Sequence, residues 1–281
     1  MGTVLGFSEI REASFQSTST GTRVEYRVLM PPSWRDGERL PLILHLHGAM
    51  SSSASLDMAK PLYDDGWARD ELPRAVVACP STPTQGGFYI DHPDGPSWET
   101  LVAEEFPRHL AEEHGPLAPE TAVFGASMGG YGALKLGFRH PGRYRAVAAV
   151  SPAIFPGERM DEVPDENIPS VLGDLHLAMG AGANDPAAYA YNSVHGLLRA
   201  NADELRRHRP AILVDCGGAD EFRLQDGSEH LHRLLWDLDV AHDYRTMANA
   251  GHVGPSAVLR QADALRFIGR ALSDSPAGPA I

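Results

Sequence analysis

The 281 residues predict an α/β protein with a mostly parallel central sheet, helices on both faces and an N-terminal antiparallel hairpin. Three observations carry that prediction. After residue 40, short apolar runs alternate with amphipathic stretches, which is the rhythm of strand–helix units. The two runs before it alternate apolar and polar residues in part around a Ser/Thr/Gly turn, as a hairpin at a sheet edge does. The third is Val123–Gly137, which reads as an apolar strand, a sharp turn and a helix, with Ser127 between Gly125 and Gly129 in the pattern G-x-S-x-G. A serine on so tight a turn needs small residues two positions either side, because strand and helix backbones nearly touch there.

In chain order, the hairpin strands are Glu9–Ser17 and Arg23–Leu29, the second ended by Pro31-Pro32. Leu40–Gly48 is a buried strand running into a glycine, and residues 54–69 form a modest helix. Ala75–Cys79 is the next strand, stopped by Pro80. A loop rich in Gly, Pro and aromatics spans 84–96. Ser97–His114 follows as a helix with Trp98, Leu101, Val102, Phe106 and Leu110 on one stripe, distorted locally by Pro107. After the serine turn and its helix comes strand Ala146–Val150. Residues 153–195 then break the rhythm with Pro, Gly and acidic residues and only short helical pieces, and read as a lid-like insertion. Its apolar members, Ile154, Phe155, Val171, Leu172, Leu175, Leu177 and Met179, exceed what an exposed loop carries. They are expected to face the mouth above Ser127. Strand Ala211–Cys216, helix Ser228–Leu238, strand His242–Met247 and helix Pro255–Leu272 resume the pattern, and 273–281 reads as a flexible tail. No repeat or second domain is visible, so one domain over 1–281 is expected.

Composition excludes several classes. Lys and Arg total 24 against 37 Asp and Glu, a net charge of −13, so no nucleic-acid partner is expected. No apolar run approaches the ~20 residues that span a bilayer, and no membrane partner is expected. Two cysteines, Cys79 and Cys216, each fall in a buried strand; they form no disulfide scaffold and fit a cytoplasmic protein. The start shows no signal peptide and fails the myristoylation pattern. His45 and His47, at i and i+2 of one strand, lack a third ligand nearby, so neither a metal nor another cofactor is expected. Composition leaves the oligomeric state open, a homodimer included.

A nucleophilic serine needs a base, and a parallel sheet collects its chemistry at the carboxyl ends of its strands. Two such ends follow Ser127: Asp215-Cys-Gly-Gly-Ala-Asp220-Glu-Phe, an acidic Gly-rich turn, and Asn249-Ala-Gly-His252. Asp215, Glu221 and Asp226 compete with Asp220 for the acid role. Asp215 lies within the strand and Asp226 some residues beyond the turn. Ser127, Asp220 and His252 stand in the chain order of α/β-hydrolases.

The chain resembles the α/β-hydrolases of the putative esterase group, typified by esterase D, S-formylglutathione hydrolase and antigen 85. The resemblance rests on the His47-Gly48 turn, Phe88-Tyr-Ile-Asp91 with Trp98-Glu-Thr-Leu and Glu104-Glu-Phe-Pro107, the Gly125–Gly130 elbow, and Gly217–Asp220 with Gly251-His252. It spans roughly residues 20–270. It implies Ser127 as nucleophile, His252 as general base and then acid, and Asp220 as the group orienting the imidazole. It also implies an oxyanion hole from the backbone N–H groups of Ala49 and Met128. Val253-Gly254-Pro255 departs from the family, which places aromatics after the histidine. Candidate pocket residues are Met50, Tyr89, Asp91, Trp98 and Phe155; for Tyr89, Asp91 and Trp98 the alternative is that they order their own loop.

The function expected is a serine carboxylesterase acting on a small or medium acyl ester or thioester, with a small-molecule ester as its partner. The alternative is an acyltransferase handing the same acyl group to an alcohol or amine. A catalytically idle ligand receptor of the same fold would tend to lose a triad member, and none is lost.

Overall fold

The structure, a computed structural model, describes residues 7–35, 37–84, 87–115 and 117–273. All of the predicted tail except Ser273 therefore lies outside the described residues. Among these described residues, eight strands form one sheet: β1 (Glu9–Gln16), β2 (Arg23–Met30), β3 (Leu42–Leu46), β4 (Val76–Pro80), β5 (Thr121–Ala126), β6 (Ala146–Val150), β7 (Ala211–Gly217) and β8 (Asp243–Met247). Their order is β1-β2-β4-β3-β5-β6-β7-β8. Only the β1–β2 and β2–β4 pairings are antiparallel. The predicted hairpin thus sits at one edge of a parallel sheet.

β3, β4 and β6 are buried along their whole length, because both faces of a parallel sheet are covered and both must be apolar. Strand alternation divides the core. Leu42, Leu44, Leu46 and Val123 point to one side; Ile43, Ala122 and Phe124 point to the other. The second side is closed by α1 (Ser55–Ala68) and α9 (Pro255–Ser273). The first is closed by α3 (Phe106–His114), α4 (Met128–Arg139), α7 (Val194–His208) and α8 (Leu224–Asp237).

The helix expected over 97–114 is split. A turn, α2 (Trp98–Thr100), leads into a π-helical turn, Leu101–Glu105, and only then into α3. Pro107 is the cause: it has no N–H for the carbonyl four residues back, Ala103, and Arg143 Nη1 donates to that carbonyl instead. Two carboxylates flank this irregular turn. Glu99 is buried and joins Lys135 and Arg139 of α4, with Arg139 Nε at 2.7 Å. Glu105 holds the β1–β2 turn, accepting from Ser17 Oγ (2.7 Å), Thr18 N (2.7 Å), Thr18 Oγ1 (2.8 Å) and Ser19 N (3.0 Å).

The stretch expected as an insertion holds 3-10 turns, α5 (Val171–Met179), α6 (Pro186–Asn192) and the start of α7. Asp185 caps α6 ahead of Pro186, and Ser193 caps α7, as their residue types favour. Most of its apolar residues pack inward rather than standing open above Ser127, while Leu177 is exposed. Leu172, Leu175, Met179 and Phe155 are buried in the same cluster as Tyr131 of α4 and Val194 of α7. Packing on the helices satisfied them, a partner that periodicity in so broken a stretch cannot reveal.

Candidate active site

Ser127 sits between β5 and α4 at φ 57°, ψ −122°. A non-glycine residue holds such a backbone only where its surroundings over-determine it. Here its N–H donates to the Val150 carbonyl (3.0 Å), and its own carbonyl accepts from Tyr131 N and Ala153 N, both at 3.0 Å. The flanking glycines are steric necessities. A Cβ on Gly125 would lie 2.2 Å from the Gly129 carbonyl oxygen, and one on Gly129 would lie 2.0 Å from that of Leu46. The elbow therefore presses against the end of β3 and half-exposes the serine.

Asp220 lies three residues beyond β7 with its side chain fully buried. Its Oδ2 accepts from His252 Nδ1 at 2.8 Å and its Oδ1 from Phe222 N at 3.0 Å. Burial alone would raise its pKa, but the hydrogen bond and charge of His252, with the Phe222 N–H, carry it below the usual aspartate value. A carboxylate on Nδ1 fixes the proton there, so the lone pair of a neutral imidazole is at Nε2. Phe222 stands edge-on to that ring, centroids 4.8 Å apart. The other acids have partners elsewhere. Asp215 pairs with Arg260 (2.9 Å), and Asp226 with Arg223 and Asn167 (each 3.0 Å). Glu221 accepts from the backbone N–H of His252 at 2.6 Å.

The turn after β3 is packed onto the elbow: a Cβ on Gly48 would be 3.7 Å from Ser127 Cβ. His47 shapes this turn. Its Nε2 accepts from Thr82 N (2.9 Å) and its Nδ1 donates to the Gly48 carbonyl (2.8 Å), which defines the neutral tautomer. Burial lowers its pKa. His45 points to the α1 side instead, bonding Tyr63 OH at 2.9 Å, and burial pushes it down to about 3. The two histidines do not converge, and no group of three His, Cys, Asp or Glu among the described residues could hold a metal ion. Met128 N–H belongs to the first turn of α4, where no carbonyl lies four residues back in the helix, and Ala49 follows Gly48 in the turn packed on the elbow.

The expected pocket residues divide. Met50 is 87 % exposed, its N–H held by Thr84 Oγ1 at 2.7 Å. Tyr89 and Trp98 are buried in the core and offer no open face. The Tyr89 ring fills the space beside Gly132, and its hydroxyl donates to the His47 carbonyl at 2.9 Å. Asp91 accepts from Thr100 N (3.0 Å) and Thr100 Oγ1, so it orders its own loop. Phe155 is buried against a cavity of about 10 Å³ lined also by Tyr131, Ala153, Met179, Tyr189 and His195. That space holds at most one water. One residue that sequence reading passed over is Arg260, buried in α9, whose Nη2 donates to the Gly251 carbonyl at 2.8 Å.

A sheet of this order, crossed by a strained serine elbow with an Asp–His pair at the neighbouring strand ends, is the α/β-hydrolase fold. Residues 17–238 match the family described as Putative esterase, and the chain belongs to that family of carboxylic ester hydrolases. It is 29 % identical over 225 residues to an S-formylglutathione hydrolase of Paracoccus denitrificans, covering 74 % of each chain. To that of Bos taurus it is 28 % identical over 228 residues, covering 73 % of this chain and 72 % of the relative. Among solved structures, a ferulic acid esterase superposes with TM-score 0.77 at 21 % identity, covering 95 % of this chain and 99 % of that one. An S-formylglutathione hydrolase from Agrobacterium tumefaciens superposes with TM-score 0.74 at 22 % identity, covering 97 % and 98 %. No described helix is long and apolar enough to cross a membrane.

Proposed function

We propose that the chain is a serine carboxylesterase that hydrolyses small or medium acyl esters and thioesters through an acyl-enzyme. The observation carrying this reading is the 2.8 Å His252–Asp220 bond, which leaves the imidazole lone pair at Nε2, on the strand-end side that also carries the Ser127 elbow. Ser127 Oγ attacks the acyl carbon as His252 Nε2 takes its proton. The N–H groups of Met128 and Ala49 stabilise the oxyanion, each worth about 2.7–4 kcal/mol of barrier. Collapse expels the alcohol or thiol, which leaves with the proton from His252. Water, deprotonated by the same nitrogen, then attacks the acyl-serine and frees the acid. Asp220 stays ionised throughout and stabilises the imidazolium.

The relatives named for S-formylglutathione support a thioester leaving group. The test is a series of p-nitrophenyl and thiol esters of increasing acyl length, run on the wild type and Ser127→Ala. The wild type should turn over short and medium acyl esters of both kinds, and the variant should lose on the order of 10⁶ in turnover while keeping its melting transition. Substantial turnover in the pure variant refutes the nucleophile.

A further inference from the structure

His252 stands in the segment between β8 and α9, which has no regular secondary structure to hold it. A base placed on such a loop must be fixed by something else. Asp220 fixes the ring, but a single bond to Nδ1 leaves the imidazole free to swing with its backbone.

The peptide unit that joins Gly251 to His252 is gripped at both edges. Its carbonyl accepts from Arg260 Nη2 at 2.8 Å, and its N–H donates to Glu221 Oε2 at 2.6 Å. The two groups carry opposite charges, and each sits on the matching pole of the peptide dipole. Hydrogen bonds to charged partners are roughly twice as strong as neutral ones. Arg260 is itself immobile. It is 1 % exposed, and its Nη1 is held by Asp215 Oδ1 (2.9 Å) within β7 and by Ser151 Oγ (3.0 Å) just beyond β6. On the other edge, a Cβ at position 251 would lie 2.5 Å from Glu221 Oε1, so glycine there leaves the room the carboxylate occupies. Asp220 and Glu221, neighbours in sequence, take the imidazole and the main chain of the same residue.

We propose that Glu221 and Arg260 are positioning residues that set the direction of the His252 imidazole by clamping its own peptide plane. The inference rests on the reading of His252 as the general base. The clamp acts on how often Nε2 faces Ser127, so it governs kcat and leaves substrate binding alone. A misplacement of this kind costs up to about 100-fold in rate.

Glu221 is exposed, so its variants fold, and it is the decisive arm. Glu221→Ala should lower kcat on p-nitrophenyl acetate about 10- to 100-fold, with KM within twofold of wild type and an unchanged melting temperature. Glu221→Gln keeps an oxygen acceptor for the His252 N–H and should recover activity to within about threefold of wild type. Arg260→Lys keeps the charge beside Asp215 but cannot span both partners, and should lower kcat with KM unchanged. Glu221→Ala within threefold of wild type overturns the clamp. So does an equal fall in Glu221→Ala and Glu221→Gln, or a loss expressed in KM. His252→Ala is run alongside. If it retains wild-type turnover, or the wild type has none, the base assignment fails and the clamp with it. If only the Glu221 pattern is absent, the assignment stands and the clamp alone is refuted.

Discussion

Replacing Glu99 by Gln should destabilise the protein strongly, and by an amount that depends on pH. Lys135 is 0 % exposed, and its ammonium is held by the Glu99 carboxylate and by the Tyr89 carbonyl at 3.0 Å. Burial pulls the lysine pKa down, and Glu99 is the main influence opposing that pull. Arg139, the other partner of Glu99, can spare it. It reaches the Tyr191 carbonyl at 2.7 Å and stacks 3.6 Å over the Tyr191 ring, near solvent. Glu99→Gln therefore leaves one uncompensated buried cation, a change that typically costs about 3–5 kcal/mol. The lysine can escape by giving up its proton. With an ordinary pKa of about 10.4, that escape costs at most about 4.6 kcal/mol at pH 7 and about 1.9 kcal/mol at pH 9. The sign follows: a cation whose folded pKa lies below its unfolded one regains stability as pH rises toward the unfolded value. Urea unfolding followed by the fluorescence of the four tryptophans should show a loss near 3–5 kcal/mol at pH 7, shrinking to about 2 at pH 9. Glu99→Leu with Lys135→Met removes the stranded charge and should recover at least half of the loss at pH 7. A loss under about 1 kcal/mol, the level of an exposed pair, or one equal at both pH values, would refute the reasoning.

Two further outcomes follow from the site and the hairpin. Asp220→Asn should lower kcat on the order of 10⁴-fold, because an amide stabilises neither the required tautomer nor the imidazolium, whereas Asp226→Asn should stay near wild type. Steady-state rates on one ester decide it, and the reverse pattern would move the acid to Asp226. For Glu105, burial raises the pKa but the donors from Ser17, Ser19 and Thr18 outweigh it and bring it to about 2. The stability it supplies is complete above the ordinary value of 4.5 and is lost as pH falls through 2. The urea-midpoint gap between wild type and Glu105→Gln should therefore be constant from pH 8 to 5 and narrow below 4.5, and a gap that does not move with pH would show that the charge is irrelevant.

What could be read from sequence was whatever repeats with the period of its own element. The inner strands show as apolar runs because both faces are covered, and the Ser127 elbow shows because its glycines are imposed by contacts of 2.0 and 2.2 Å. Asp220 and His252 were legible as polar residues in Gly-rich turns at strand ends. Residues whose role is to hold other residues were less so. Trp98-Glu-Thr-Leu was recognisable as a family signature, yet nothing in it says that Glu99 neutralises a lysine 36 positions away. Tyr89 and Trp98 read equally well as pocket lining or as residues that order their own loop, and packing placed both in the core. Arg260 had a signal that could have been used. It falls on the buried stripe of α9 with Ala257, Ala264, Phe267 and Ile268, and a cation on an apolar stripe needs a buried partner.

The Lys135 contact with the Tyr89 carbonyl has a mechanical side. Lys135 grows from the helix that begins at Ser127, and the tyrosine it holds passes its hydroxyl to the carbonyl of His47, beside Gly48 and Ala49. The serine and the turn that faces it are thus fastened to one stiff rod, the first by the chain and the second through a lysine and a phenol. When the domain breathes, both ends travel with that rod and the spacing between them is carried along. Ångström-level order between Ser127 and the Gly48–Ala49 turn then survives motions of the surrounding helices that would blur it if the two halves were borne by separate supports.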